Sequence, residues 1–264
     1  SKRIISHKID SEILLSKVLK KRREEIISTL GKKITPDQII KFNNLIKRRS
    51  FREPIAYITK EKEFWSKIFE VNKNTLIPRP ETELMVEKLT KIFKKKPISI
   101  LDIGTGSGCI IISLLSELKK SNGIGLDISG KSILIAKKNA DKHLKSNNLK
   151  LLKRSFTSLF NKKFDLIVSN PPYIEKSLMK NLKDDIKKFE PKIALEGGID
   201  GLDVIKKVIY KTKHILKIKG MLALEIGNEQ YKKVSKILVK NNFRVKHIIK
   251  DYKNNIRCVL AEYN

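Results

Sequence analysis

The chain has 264 residues, with 58 Lys and Arg against 28 Asp and Glu, a formal net charge of +30, and a hydrophobic content of 40%. That length exceeds one average domain and suits a catalytic domain with a smaller appendage. No run approaches the roughly 18 uninterrupted apolar residues of a membrane-spanning helix. The opening residues Ser1 to Lys8 lack the apolar stretch and small-residue cleavage pattern of an export signal. Cys109, Cys258 and the four scattered histidines give neither a disulfide framework nor metal-ligand spacing. Buried free thiols in a reducing cytoplasm, with no membrane contact and no metal, are therefore expected. The charge has two readings. A basic surface is the usual footprint of nucleic acid and would suit proximity to the ribosome or RNA. Lysine is spread almost everywhere, however, beside abundant Ile and Asn with A/T-rich codons. Residues 1–50, with 14 basic and 5 acidic side chains, are only mildly denser than the rest.

From Lys8 to about Ser50 the pattern is helical. Ser11 is expected to cap a helix carrying Ile13, Leu14, Val18, Ile26 and Leu30, with Gly31 ending it. Thr35-Pro36-Asp37-Gln38 reads as a capping box with proline at the first helical position. Ile39, Phe42, Leu45 and Ile46 then mark one face. Residues 51–75 carry extended and turn signals, consistent with a connecting hairpin. Pro80 opens another helix, whose positive end Glu81 and Glu83 favour.

Ile98 to Ile103 is a short apolar strand that runs into Gly104-Thr105-Gly106-Ser107-Gly108, and Cys109 to Leu118 reads as a buried helix. Strand, glycine turn and helix form a nucleotide-type cradle, in which backbone can approach a ligand and the helix amino end exposes unpaired N–H groups. The spacing is GxGxG, unlike the GxGxxG of dinucleotide folds, and the Lys-Ser/Thr of a P-loop is missing. A strand from Gly123 to Leu126 ends in Asp127, an acidic side chain placed to accept both hydroxyls of an adenosine ribose.

Further on, Ser129 opens a helix to about Asp141, and Leu149 to Leu152 is a strand. Phe164 to Ser169 is a buried-type strand that delivers Asn170-Pro171-Pro172-Tyr173. This turn can hold a planar, weakly nucleophilic nitrogen. Asn170 offers a carbonyl oxygen to one N–H, the prolines have fixed φ and carbonyls free to be aimed inward, and Tyr173 offers a flat face. Gly197, Gly198 and Gly201 read as turn glycines. A helix over Gly201 to Leu216, a strand over Met221 to Ile226, and a helix over Asn228 to Val239 follow. Arg244 to Ile249 and Arg257 to Glu262 close the chain as two strands. Such alternation predicts an α/β fold, a mainly parallel sheet covered on both faces with an antiparallel last strand.

The order of cradle, acid and Asn-Pro-Pro-Tyr resembles the class I S-adenosylmethionine-dependent methyltransferases. Arg52 to Ile58, Glu63-Phe64-Trp65, Leu76 to Glu83, Glu190-Pro191, Ala194 to Asp203 and Leu224 to Gly227 narrow the likeness to the release factor glutamine methyltransferases, the PrmC/HemK family. The resemblance runs from the N-terminal helices to the end of the chain. It implies a Rossmann-like, seven-stranded catalytic domain at 76–264, a connecting hairpin at 51–75 and an N-terminal helical substrate-binding domain at 1–50.

The resemblance also implies S-adenosyl-L-methionine as cofactor. Asp102 and Gly104, Thr105, Gly106, Ser107 and Gly108 would line its methionine and sugar portions, Asp127 would hold the ribose, and Asn170 would reach both its methyl region and the substrate. Pro171, Pro172 and Tyr173 would complete a pocket for glutamine in the Gly-Gly-Gln loop of peptide chain release factors. One departure stands out. Where the family usually has Asp and then a large apolar residue beside the adenine, this chain has Arg154 and Ser155, followed by Phe156. The expected chemistry is direct methyl transfer to an amide nitrogen, dependent on positioning and without a covalent enzyme intermediate. Because many bearers of Asn-Pro-Pro-Tyr methylate adenine or cytosine, transfer to DNA or RNA is the alternative.

Overall fold

A computed structural model of the chain describes residues 7–28, 33–158 and 162–264. At the N-terminal end three helices pack together: α1 (His7–Leu19), α2 (Arg23–Ser28) and α3 (Pro36–Ser50). Leu14 and Ile26 are buried, and a half-buried ion pair, Arg49 Nε to Asp10 Oδ2 at 2.7 Å, ties α3 to α1. The capping box forms, with the Thr35 hydroxyl accepting from the Gln38 amide and the Gln38 side chain accepting from the Thr35 amide. Ser11 does not cap. It lies inside α1, its hydroxyl donating back to the His7 carbonyl at 2.7 Å, a bond open to serine in a helix interior. Leu30 and Gly31 fall outside the described residues. Helix α3 buries no residue fully, and Ile39, Ile40 and Phe51 stay exposed.

The segment after Ser50 is more ordered than a plain hairpin. A short helix α4 (Ile55–Thr59) precedes β1 (Glu61–Phe64) and β2 (Lys67–Glu70), which pair antiparallel. Phe64 and Phe69, both fully buried, anchor the hairpin in the core under α5 (Pro80–Phe93).

The remaining strands are β3 (Ser99–Ile103), β4 (Asn122–Asp127), β5 (Leu149–Lys153), β6 (Phe164–Ser169), β7 (Leu216–Glu225), β8 (Phe243–Lys250) and β9 (Ile256–Tyr263). They form one seven-stranded sheet in the order β5-β4-β3-β6-β7-β9-β8, in which only the β9 pairings are antiparallel. Period-two alternation sends neighbouring side chains to opposite faces. Leu166 and Val168 of β6 join the core beneath α5 and α6 (Cys109–Glu117), while Ile167, and Phe164 beyond a register shift that breaks the alternation, join the core beneath α9 (Asp203–Ile215) and α10 (Tyr231–Lys240). Both faces are therefore apolar, as a parallel sheet requires. Helix α7 (Gly130–His143) is capped by Ser129 as expected.

Several expected boundaries move; α10, expected from Asn228, starts at Tyr231. Helix α9 starts at Asp203 and α8 (Asp184–Phe189) precedes it. Gly201 sits at φ +70°, a left-handed conformation that cannot open a helix, and Asp200 Oδ1 accepts from the Leu202 amide to form the turn. Strand β7 starts at Leu216, five residues before Met221, immediately after α9.

Candidate active site

Order reversal in the sheet lies between β3 and β6, since β4 and β5 extend from one side of β3 and β7 from the far side of β6. Open parallel sheets bind ligands beyond the strand carboxyl ends at such a point. The glycine turn after β3, Asp127 ending β4, Asn170 after β6 and Glu225 ending β7 all converge there.

A cavity of about 480 Å³ occupies the crevice. Gly104, Thr105, Gly106, Ser107, Asp127, Asn170, Pro171 and Pro172, eight of the expected site residues, line it. The turn is lashed to β4, because the Gly104 and Thr105 amides both donate to the Leu126 carbonyl at 2.9 and 2.8 Å. Gly104 has φ +75°, and a Cβ placed there would meet nothing within 4 Å. Asp127 accepts the Gly106 amide through Oδ2 at 3.0 Å and the Ser129 amide through Oδ1 at 2.8 Å. A carboxylate has about four acceptor positions, so these amides leave acceptor capacity for hydroxyls. Burial nevertheless raises its pKa, against the lowering by those amides.

Two expected contacts stand behind the wall. Asp102 is fully buried; its Oδ2 accepts from Thr105 Oγ1 at 2.7 Å, and its Oδ1 makes no hydrogen bond. Burial first, and then the Asp127 charge, pushes it up to about 7. Gly108 serves packing, since a Cβ there would lie 2.7 Å from Ile112 Cδ1 in α6. Beyond Asp127 the wall includes Arg154, Ser155, Phe156 and Thr157. Ser155 and Thr157 share a hydroxyl–hydroxyl bond of 2.7 Å, and Phe156 packs part-buried on the core, so an aromatic side chain lines this wall. Cys109 also faces the cavity, but burial pushes its thiol up to about 12, which removes the nucleophilic thiolate.

A second cavity of about 160 Å³ adjoins the first and is lined by Leu76, Arg79, Asn170, Tyr173, Ile174, Ile186, Ala194 and Leu195. Asn170 belongs to both cavities, as do Leu76, Arg79 and Ala194. Tyr173 lines only the smaller one. Burial raises its phenol well above the usual value, helped by the Glu225 charge, so it stays protonated.

Residues without an assigned role in the sequence reading hold this arrangement. Glu190 accepts from Arg79 Nη2 at 2.5 Å and from the Ile77 amide at 3.1 Å, joining the segment before α5 to α8. The Glu190 side chain is 1% exposed and that of Arg79 29%. Arg79→Ala should therefore cost roughly 3 kcal/mol, the low end for stranding a buried charge, read as a lower urea midpoint. Gln230 Nε2 donates to the Tyr173 carbonyl at 3.0 Å while its Oε1 accepts the Gly227 amide at 2.8 Å. Glu225, expected only as part of the strand Met221 to Ile226, is the last residue of β7. It is 3% exposed, accepts from Thr82 Oγ1 at 2.5 Å and lies 3.5 Å from the Tyr173 hydroxyl.

Comparison with known proteins now bears on this geometry. The family model described as the PrmC N-terminal domain matches residues 1–59, and the methyltransferase small domain matches residues 80–188. A release factor glutamine methyltransferase of Buchnera aphidicola subsp. Acyrthosiphon pisum is 42% identical over 255 residues, covering 97% of this chain and 91% of its own length. Its namesake from Caulobacter vibrioides is 34% identical over 258 residues, covering 97% and 89%. Among solved structures, a methyltransferase from Pyrococcus furiosus aligns with a TM-score of 0.55 over 83% of this chain and 98% of that one, at 16% identity, a likeness of fold alone. By sequence over nearly its whole length, the chain belongs to the release factor glutamine methyltransferases.

Proposed function

We propose that the protein transfers a methyl group from S-adenosyl-L-methionine to the side-chain amide nitrogen, N5, of the glutamine in the Gly-Gly-Gln loop of peptide chain release factors, in support of translation termination. The observation that carries this reading is the meeting of two cavities at Asn170, one sized for a nucleoside and one for a short side chain. Transfer to adenine or cytosine, the alternative raised by the Asn-Pro-Pro-Tyr turn alone, is not what the relatives' names report. The larger cavity fits the cofactor on two counts. Gly104 leaves open a space that any side chain would fill, and Asp127 keeps acceptor capacity beside it.

The cofactor supplies an electrophilic methyl group on a sulfonium. A carboxamide nitrogen attacks poorly, because its lone pair is delocalised into the carbonyl. In the proposed complex Asn170 Oδ1 and a carbonyl of Pro171 or Pro172 accept the two N–H groups, holding the nitrogen in near-attack geometry, an effect worth roughly 7–11 kcal/mol at most. They also favour the positive charge that builds on that nitrogen. The N–C bond forms as the C–S bond breaks. None of the residues lining the smaller cavity is a carboxylate, histidine or thiol, and Tyr173 is protonated, so the surplus proton passes to water.

We further assign residues 1–50 to release-factor binding, 51–75 to the connection and 76–264 to transfer. The exposed Ile39 and Ile40, at 42% and 60%, support a docking role for the first part. The proposed setting is the cytoplasm, in keeping with two free thiols.

Mass spectrometry of the Gly-Gly-Gln peptide with and without the protein tests the function; one added methyl group is expected, and an unchanged glutamine overturns it. Asp127→Asn keeps one acceptor and removes the charge. It should weaken cofactor binding about 10- to 100-fold, the worth of a charge-assisted bond, in calorimetry with S-adenosylmethionine.

A further inference from the structure

We infer that Glu225 is a positioning residue: its carboxylate accepts the side-chain N–H of Asn170 and so turns the Asn170 carbonyl oxygen toward the two cavities. The inference rests on the reading of Asn170 as an acceptor for the substrate amide. A carboxamide has two ends of nearly equal size, and only the oxygen-forward orientation accepts an N–H. Something must choose between them. Ser169 pairs with Leu224 across β6 and β7, so the next residues, Asn170 and Glu225, emerge side by side. That placement sets the Asn170 side chain beside the Glu225 carboxylate, and Asn170 favours its ionised form. A carboxylate only accepts, so the amide NH₂ points to Glu225 and the oxygen points away from it.

Glu225 is itself fixed. Its Oε2 accepts from Thr82 in the first turn of α5, its Oε1 lies near the Tyr173 hydroxyl, and the side chain is buried. A buried carboxylate is costly, and the positive end of α5 offsets part of that cost. Glu225 thus ties α5, Tyr173 and Asn170 to a single group at the junction of the cavities.

The contact is sensitive to protonation. Burial, the largest influence, pushes Glu225 up to about 7; Thr82 and Asn170 lower it, the Glu81 charge raises it and Arg257 lowers it. Glu81 lies on α5 and Arg257 on β9; Cys109 on α6, Cys258 on β9 and Tyr173 after β6 feel the Glu225 charge in return. Once protonated, Glu225 becomes a donor and can draw the Asn170 oxygen toward itself. Transfer therefore requires the ionised form, present above about 7 and lost as the pH falls below it. Stability moves oppositely. A carboxyl raised above its usual 4.5 destabilises the fold as the pH climbs from there toward 7.

The test measures methyl transfer to release factor in wild type, Glu225→Ala, Glu225→Gln, Asn170→Ala and the Glu225→Ala/Asn170→Ala double variant, with cofactor affinity by calorimetry and folding by thermal unfolding. Glu225→Ala should lower kcat roughly 10- to 100-fold, with KM and cofactor affinity changed less than about threefold. Glu225→Gln donates as well as accepts and so mimics the protonated carboxyl; at pH 8 it should stay near the low-pH wild-type rate and show no acid limb. In the Asn170→Ala background the Glu225→Ala loss should vanish, and additive losses would overturn the inference. Activity-free support comes from the Asn170 side-chain amide resonances, which should titrate near pH 7 in wild type and not in Glu225→Gln. Unmoved resonances overturn the inference even if a variant misfolds. A wild type that leaves release factor unmethylated defeats the functional reading instead, and the resonances still decide the orientation.

Discussion

Asn170→Ala is expected to lower kcat for methyl transfer about 100- to 1,000-fold, the cost of deleting one preorganised group at a reacting centre, while the protein folds and binds cofactor. The reason lies in position. Asn170 follows β6 and belongs to both cavities, so its side chain can address the methyl and the amide together. It contributes little to the core, which on this strand consists of Phe164, Leu166, Ile167 and Val168. The cofactor cradle, Gly104 to Ser107 with Asp127, lies on other strands and should survive. Asn170→Asp sharpens the point. It restores an acceptor oxygen but sets a second carboxyl against Glu225, and like charges that close force one to hold a proton. Its turnover should stay low at neutral pH. Radiolabelled transfer at saturating cofactor and release factor measures both; a near-normal kcat in Asn170→Ala would end the assignment.

Much of the fold was readable because parallel strands buried on both faces must be continuously apolar. Phe164 to Ser169 was bounded correctly to the residue, and Ile98 to Ile103 and Leu149 to Leu152 to within one. Ends decided by tertiary contacts were harder to read. Ser11 has the chemistry of a cap, but the described helix already begins at His7. Gly201 resembles a helix opening only until its positive φ is known. The short α4 hides in Arg52 to Ile58, where Pro54 and the β-branched Ile55 and Ile58 suggest extended chain; Tyr57 holds it by donating to the Thr75 carbonyl at 2.7 Å.

The site divides along the same line. Glycine spacing and the acid ending β4 betrayed the cradle, because local backbone chemistry forms it. Placement behind the wall, as for Asp102 and Gly108, depends on which way a side chain turns from the sheet. Glu225, Glu190 and Gln230 act across 50 to more than 100 residues of sequence. A buried acid leaves one signal in a lone sequence, a charge at the end of an apolar run, and Glu225 after Met221 to Leu224 carries it. Gln230, polar among polar neighbours, carries none.

Gly197→Ala is expected to lower kcat about 100-fold, the scale of a sub-ångström to 1 Å misplacement at a reacting centre, although Gly197 lines neither cavity. A Cβ built there would sit 2.6 Å from the Gly201 oxygen, 2.7 Å from the Pro172 oxygen and 2.8 Å from Tyr173 Cα. All three are main-chain atoms, so no side-chain rotation relieves the clash. Nor can the backbone of Gly197 withdraw freely, since its amide donates to the Ile174 carbonyl at 2.8 Å and its carbonyl accepts from Asp203 at 2.9 Å. The Asn-Pro-Pro-Tyr turn must yield, and with it a proline carbonyl proposed to hold the substrate amide. Overpacking of this kind costs about 1–3 kcal/mol of stability, visible as an earlier thermal transition. Cofactor affinity should change little, because Gly104, Gly106 and Asp127 belong to β3, β4 and their loops. A Gly197→Ala protein with normal kcat would mean that the Pro172 carbonyl has slack, and that Asn170 holds the amide without it.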